Sequence, residues 1–100
     1  MIKPVQKPLE AVLELLGQRG VYTILCSLRN GPLRFGALQQ VTTLPPRTLS
    51  LRLKELEELG LISRTEHHEV PPRVDYALTA QGLALQPALE ALAHWQENLH

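Results

Sequence analysis

Between Leu15 and Lys54 the chain carries no acidic residue, yet six cations stand there: Arg19, Arg29, Arg34, Arg47, Arg52 and Lys54. Guanidinium and ammonium groups without local counter-charges attract polyanions, and phosphate is the anion they suit best. The 100 residues have a formal net charge of zero, so the charge matters through its order. Residues 1–54 hold eight Lys/Arg against Glu10 and Glu14, whereas residues 55–100 hold Arg64 and Arg73 against eight acids. An anionic partner is therefore drawn to the first part and repelled by parts of the second. A solvated polar face is the alternative that charge alone leaves open.

Other reactive side chains point to little chemistry. His67, His68 and Glu69 are metal-ligand types, but adjacent histidines on a polar tip have no third preorganised ligand, so no metal is expected. Cys26 is the only cysteine, which excludes an intramolecular disulfide and a Cys-based zinc module and favours the cytoplasm. Within an apolar helical segment its thiol is expected to be a small buried hydrophobe rather than a sensor. No nucleophile stands with a base and no Gly-rich loop could cradle phosphate, so neither an enzyme nor a cofactor is expected. The N-terminus has no basic start followed by an apolar core, and no stretch approaches about 18 uninterrupted apolar residues, so no export signal and no membrane span are expected.

The cations must be positioned by elements that the spacing of apolar residues reveals. Pro8, then Leu9, Val12, Leu13, Leu15 and Leu16, then Gly17 describe a helix over 8–17 with Pro at its start and Gly at its end. After the Gly17–Gly20 break, 21–28 is a mostly buried apolar segment that stops at Asn30-Gly31-Pro32. Leu33-Arg34-Phe35 suits a minor strand, and Phe35, Leu38 and Val41, three apart, suit two turns of a third helix. Pro45 and Pro46 fit the first turn of a fourth helix, with Thr43 as a candidate cap. Residues 61–65 and 73–78 read as strands around a charged, Pro-rich tip. Thr79 caps a last helix over 79–97, whose Leu83, Leu85, Leu89, Leu92 and Trp95 include an apolar stripe and whose Pro87 predicts a kink. The expectation is one domain, 1–100, mainly α with a small β-hairpin: a winged helix-turn-helix in the order α-α-β-α-α-β-β-α.

In that arrangement the fourth helix, 46–59, enters the major groove and the hairpin wing, 66–73, reaches the minor groove or backbone. At about 100° per residue, with Leu49 at 0°, Leu53 falls near 40°, Leu56 near 340° and Leu59 near 280°, which defines a buried stripe. Arg47, Leu51, Lys54 and Glu58 lie on the opposite face. Arg47, Thr48, Ser50, Leu51 and Lys54 are thus candidate groove contacts, Leu51 through thymine methyl groups. Arg52 lies beside the buried stripe and suits a phosphate contact or an ion pair that fixes the helix. Arg73, presented by Pro71 and Pro72, suits a minor-groove or phosphate contact, against pairing with Asp75 or Glu69. Arg34 suits a backbone phosphate or a structural salt bridge.

Four stretches, in order and at matching spacing, resemble the HxlR-type winged helix-turn-helix regulators, relatives of the MarR group: Gly31-Pro32-Leu33-Arg34-Phe35; Thr48-Leu49-Ser50-Leu51-Arg52-Leu53-Lys54-Glu55-Leu56-Glu57; Gly60-Leu61-Ile62; and Glu69-Val70-Pro71-Pro72-Arg73-Val74-Asp75-Tyr76-Ala77-Leu78-Thr79. The resemblance covers roughly residues 8–95. It implies dimeric DNA binding, with the terminal helices forming the dimer interface, and control of nearby genes, often in response to oxidants or electrophiles. Members that sense redox usually place a Cys before the Pro that opens the first helix, where this chain has Lys7 before Pro8. Family members in general also commonly carry a Trp at the start of the second helix, where this chain has Gly20.

The last helix offers more apolar area than one small domain can cover, so it is the expected dimer surface together with the first helix. The residues expected there are Leu9, Val12, Leu13, Leu16, Leu85, Leu89, Leu92 and Trp95. A two-fold dimer sets its recognition helices about 34 Å apart and calls for a pseudo-palindromic operator on duplex DNA. The rival reading is a winged-helix protein-interaction adaptor, since a fold alone does not settle function. An adaptor has no need of an acid-free stretch ending in the recognition helix.

Overall fold

Pro8 fixes a φ suited to a helix start and leaves no N–H to satisfy, and Gly17 follows where the apolar spacing ends, so the first helix, α1, is short: Leu9–Leu16. In the computed structural model, which describes residues 7–99, it is followed by α2 (Val21–Ser27), a 3-10 turn (Leu28–Asn30), β1 (Leu33–Arg34), α3 (Phe35–Thr42) and α4 (Pro46–Glu58). Next come β2 (Ile62–His67), β3 (Arg73–Leu78) and α5 (Ala80–Glu97). This is the expected winged helix-turn-helix order. The three strands form one antiparallel sheet in the order β1-β3-β2. Leu33 lies opposite Tyr76 and Arg34 opposite Asp75, while β2 pairs with β3 from Ile62↔Leu78 out to His67↔Arg73. The first wing strand thus runs two residues past the expected Thr65.

The core sits where α2, α3 and α4 meet, on Val21, Ile24, Leu25, Leu38, Leu49, Leu53 and Leu56, all essentially without solvent contact. The stripe expected on α4 is the stripe that is buried, Leu59 included. The third helix forms as the spacing of Phe35, Leu38 and Val41 suggests, but Val41 faces solvent and Thr42 is buried, where Thr42 Oγ1 donates to the Leu38 carbonyl at 2.8 Å and accepts from the Leu44 N–H at 3.3 Å. One expectation near the α3–α4 turn is corrected. Thr43 does not cap α4: it adopts a left-handed conformation (φ 55°), and the residue preceding α4 is Pro45, which makes no side-chain cap.

Gly20 also has positive φ (88°), and a Cβ there would stand 2.6 Å from Leu44 Cδ1. The departure from Trp at this position therefore follows from a left-handed turn with Leu44 packed against it.

Helix α5 passes through Pro87 without ending, at the loss of one intrahelical donor. Its start is held by Thr79, whose hydroxyl accepts from the Gly82 N–H (3.1 Å) and donates to the Gly60 carbonyl (2.5 Å). One side chain thus ties the turn after α4 to the start of α5. Thr79→Ala is expected to lower stability by about 1–2 kcal/mol and Thr79→Ser by less than half that, read from urea midpoints. Equal losses for Ala and Ser would show that the hydroxyl is not what holds the junction.

Candidate nucleic-acid interface

A helix can enter a groove only if its outward face is free of the protein's own contacts. On α4 the buried Leu49, Leu53, Leu56 side anchors the helix, and Arg47, Ser50, Leu51 and Lys54 project from the other side, all exposed. Leu51 is 50% exposed, an apolar surface among polar neighbours at the middle of the face. Thr48 is half-buried at the flank. Arg34 is exposed at the start of α3, on the same helix-turn-helix unit.

Folding pairs off several cations that are isolated in the sequence. Arg29 meets Glu90 at 3.2 Å. Arg52 meets Glu55 at 2.6 Å and Gln18 Oε1 at 3.3 Å, with its side chain only 18% exposed. Of the two roles open to Arg52, the ion pair that fixes the helix is the one present: it ties α4 to the turn after α1. Arg19, Arg34, Arg47 and Lys54 make no ion pair among the described residues, and three of these four belong to the helix-turn-helix.

The wing arginine is also engaged. Arg73 lies 3.5 Å from Glu69 and 3.6 Å from Asp75, and Asp75 in turn takes His67 Nε2 at 3.0 Å. A DNA phosphate would have to replace those carboxylates as the partner of Arg73. His67 is thus committed to Asp75, while His68 and Glu69 are exposed at the tip. Arg64, a wing cation missing from the expected contacts, is exposed on β2 and pairs with Glu66 at 2.7 Å.

The expected dimer residues separate into two groups. Val12 and Leu89 are buried within the chain's own core, at 8% and 3% exposure, a correction to their assignment to a surface. Leu16 and Leu85 pack partly against that core. Leu9, Leu13, Leu92 and Trp95 remain exposed, and Leu83 and Leu99 add to the apolar surface of the last segment. Cys26 also departs from expectation: it is half-buried and lines a cleft between α2 and α5. A side-chain hydrogen bond with Cys26 is the main influence that raises the Tyr22 phenol above its ordinary range. Among the described residues no helix is long and apolar enough to cross a membrane.

Comparison with known proteins agrees with this architecture. A model of the family described as HxlR-like helix-turn-helix matches residues 15–100. An uncharacterized HTH-type transcriptional regulator of Methanothermobacter thermautotrophicus is 39% identical over 87 residues, 86% of this chain and 66% of that protein. Another, from Halalkalibacterium halodurans, is 41% identical over 90 residues, 88% of this chain and 80% of that protein. The reduced form of the transcriptional regulator YodB from B. subtilis superimposes with a TM-score of 0.83 at 32% identity, covering 99% of this chain and 95% of that one. The chain thus spans just under two thirds of the first relative's length and nearly all of the solved one.

Proposed function

Because the chain belongs to the HxlR-like helix-turn-helix family and is a transcriptional regulator of the winged-helix type, we propose that it acts as a homodimer on a pseudo-palindromic duplex operator. Residues 1–100 act as one DNA-binding domain in the cytoplasm, with α4 in the major groove and the wing, 66–73, on the minor groove or backbone. Terminal helices α1 and α5 join the two copies. The observation that supports this best is the outward face of α4, where Arg47, Ser50, Leu51 and Lys54 are exposed while the opposite stripe is fully buried. Arg47 and Lys54 supply charge for phosphate or guanine, Thr48 and Ser50 supply adaptable hydroxyls, and Leu51 supplies an apolar contact for thymine methyl groups. Arg34 reaches backbone phosphate. Arg73 joins it by exchanging Glu69 and Asp75 for phosphate, and Arg52 acts by holding α4 in place.

Selection from a random duplex library, followed by affinity against salt, tests the reading. The expected outcome is an inverted repeat with half-sites about one helical turn apart and a steep log–log salt slope. Absence of enrichment, with weak salt-insensitive binding, would replace it with a protein-interaction adaptor. On the selected site, Arg47→Ala and Lys54→Ala are each expected to reduce the slope by about one for every phosphate the native side chain neutralises. Arg52→Ala is expected to lower stability and leave the slope in place. A slope that falls with Arg52→Ala but not with the other two would reverse these roles.

A further inference from the structure

Within the acid-free stretch, the cations that make no ion pair among the described residues are Arg34, Arg47 and Lys54 of the helix-turn-helix, and Arg19. Arg19 stands outside that unit, exposed in the turn between α1 and α2. Both of its chain neighbours are fastened to the recognition-helix segment. On one side Gln18 Oε1 accepts from Arg52 Nη2 at 3.3 Å. On the other, Gly20 packs so closely on Leu44, two residues before α4, that an added Cβ would fall 2.6 Å from Leu44 Cδ1. The turn is also fixed along its own backbone, since the Val21 N–H donates to the Gln18 carbonyl at 3.1 Å and the Ile24 N–H to the Gly20 carbonyl at 2.9 Å.

These contacts set Arg19 where the wall of a groove would run. On the α4 wheel Arg52 lies about 100° round from Leu51, so the flank that meets the 18–20 turn looks sideways from the face turned to the base edges. A helix seated in a major groove about 12 Å wide has a phosphodiester strand along each flank. Arg52 does not serve that strand, because its side chain is only 18% exposed and is committed to Glu55 and Gln18. It holds instead the turn from which Arg19 extends, and a guanidinium is always charged and forked to match phosphate oxygens. Two carboxylates stand beside the anchor, Glu14 and Glu55. Glu55 is taken by Arg52, and Arg19 pairs with neither.

From this placement we infer that Arg19 is a DNA-backbone clamp: its guanidinium takes a phosphate of the strand that borders the Arg52 flank of α4. Gln18, Gly20 and Leu44 position it. The inference rests on the DNA reading above and extends the contact surface beyond the helix-turn-helix to the α1–α2 turn. A phosphate contact carries no base preference, so the clamp strengthens binding to every duplex and fixes the angle at which α4 enters the groove.

The test compares the native chain, Arg19→Ala and Arg19→Lys on the selected operator and on an unrelated duplex, through affinity against salt and through interference by ethylated phosphates. Arg19→Ala is expected to reduce the log–log salt slope by about one per copy. It is expected to weaken both duplexes by the same factor and to leave the selected sequence and the melting midpoint as they are. Arg19→Lys is expected to keep the slope. Interference at one phosphate in each half-site is expected to disappear with Arg19→Ala and to remain with Arg19→Lys. A native chain without salt-dependent duplex binding would remove the DNA reading and the clamp together. A native chain that binds, beside an Arg19→Ala variant that keeps both its slope and its interference pattern, would overturn the clamp alone. The clamp also falls if Arg19→Ala melts earlier and loses every contact at once, or weakens the operator and spares the unrelated duplex.

Discussion

Gly82→Ala is expected to lower the stability of the chain by about 1–3 kcal/mol, although alanine is the better helix former by about 1 kcal/mol. A Cβ at Gly82 would fall well inside contact distance of the Leu61 carbonyl oxygen and 3.0 Å from Leu78 Cδ2. The first of these is backbone and cannot swing aside. That same carbonyl accepts the Thr79 N–H at 3.1 Å, so displacing α5 to make room also stretches the bond that seats its first turn. Gly36 is the internal control: it also lies in a helix, and a Cβ there meets nothing within 4 Å. Gly36→Ala is expected to be neutral or to raise stability by up to about 1 kcal/mol. For a domain of this size each kcal/mol moves the thermal midpoint by about 4–8 °C, so the two variants should separate clearly in a melting experiment. If Gly82→Ala melts with Gly36→Ala, the close packing of α5 on the β2 entry does not limit this fold.

The difference between those glycines has no local signature, and it marks where reading the sequence stops. Helix α4 was legible because thirteen residues carry one apolar stripe, and Leu49, Leu53, Leu56 and Leu59 admit one wheel. Helix α3 has eight residues, and spacings of three and four both fit it. Apolar preference places Val41 inside, but the turn to α4 needs hydrogen bonds, and Thr42 supplies them from the interior. Helix α1 is apolar at Leu9, Val12, Leu13, Leu15 and Leu16, which share one broad arc of nearly half the wheel, so its pattern could not separate the buried Val12 from the exposed Leu13. The exposed α4 face follows from the same periodicity that buries its stripe. The partners of Arg29 and Arg52 do not, because Arg29–Glu90 and Arg52–Gln18 join residues 61 and 34 positions apart, whereas Arg73 pairs with the Glu69 and Asp75 already named as its alternatives. Charge order along the chain therefore overstated the number of free cations, while it located the segment where they remain.

The double variant Leu92→Glu/Trp95→Glu is expected to yield a folded monomer whose operator binding is weaker by about 100-fold or more. Both side chains are exposed in the single chain, Leu92 at 54% and Trp95 at 60%, so replacing them removes little of the monomer's own packing, and stability should change by less than about 0.5 kcal/mol for each. In a dimer the same surfaces, with Leu9 and Leu13 of α1, would be withdrawn from water, and two carboxylates placed there would be buried without partners. Two linked half-site readers bind far more tightly than one, because the second contact is made at high effective concentration, so splitting them costs much more than removing any one base contact. The salt slope should fall to about half, since each copy carries half of the phosphate contacts. Leu89→Ala separates this effect from a folding defect: Leu89 is buried within one chain, and truncating it should cost about 2–5 kcal/mol of stability. Sedimentation and melting together read both effects. A Leu92→Glu/Trp95→Glu protein that still sediments as a dimer and holds the operator as the unaltered chain does would show that the copies meet through another surface.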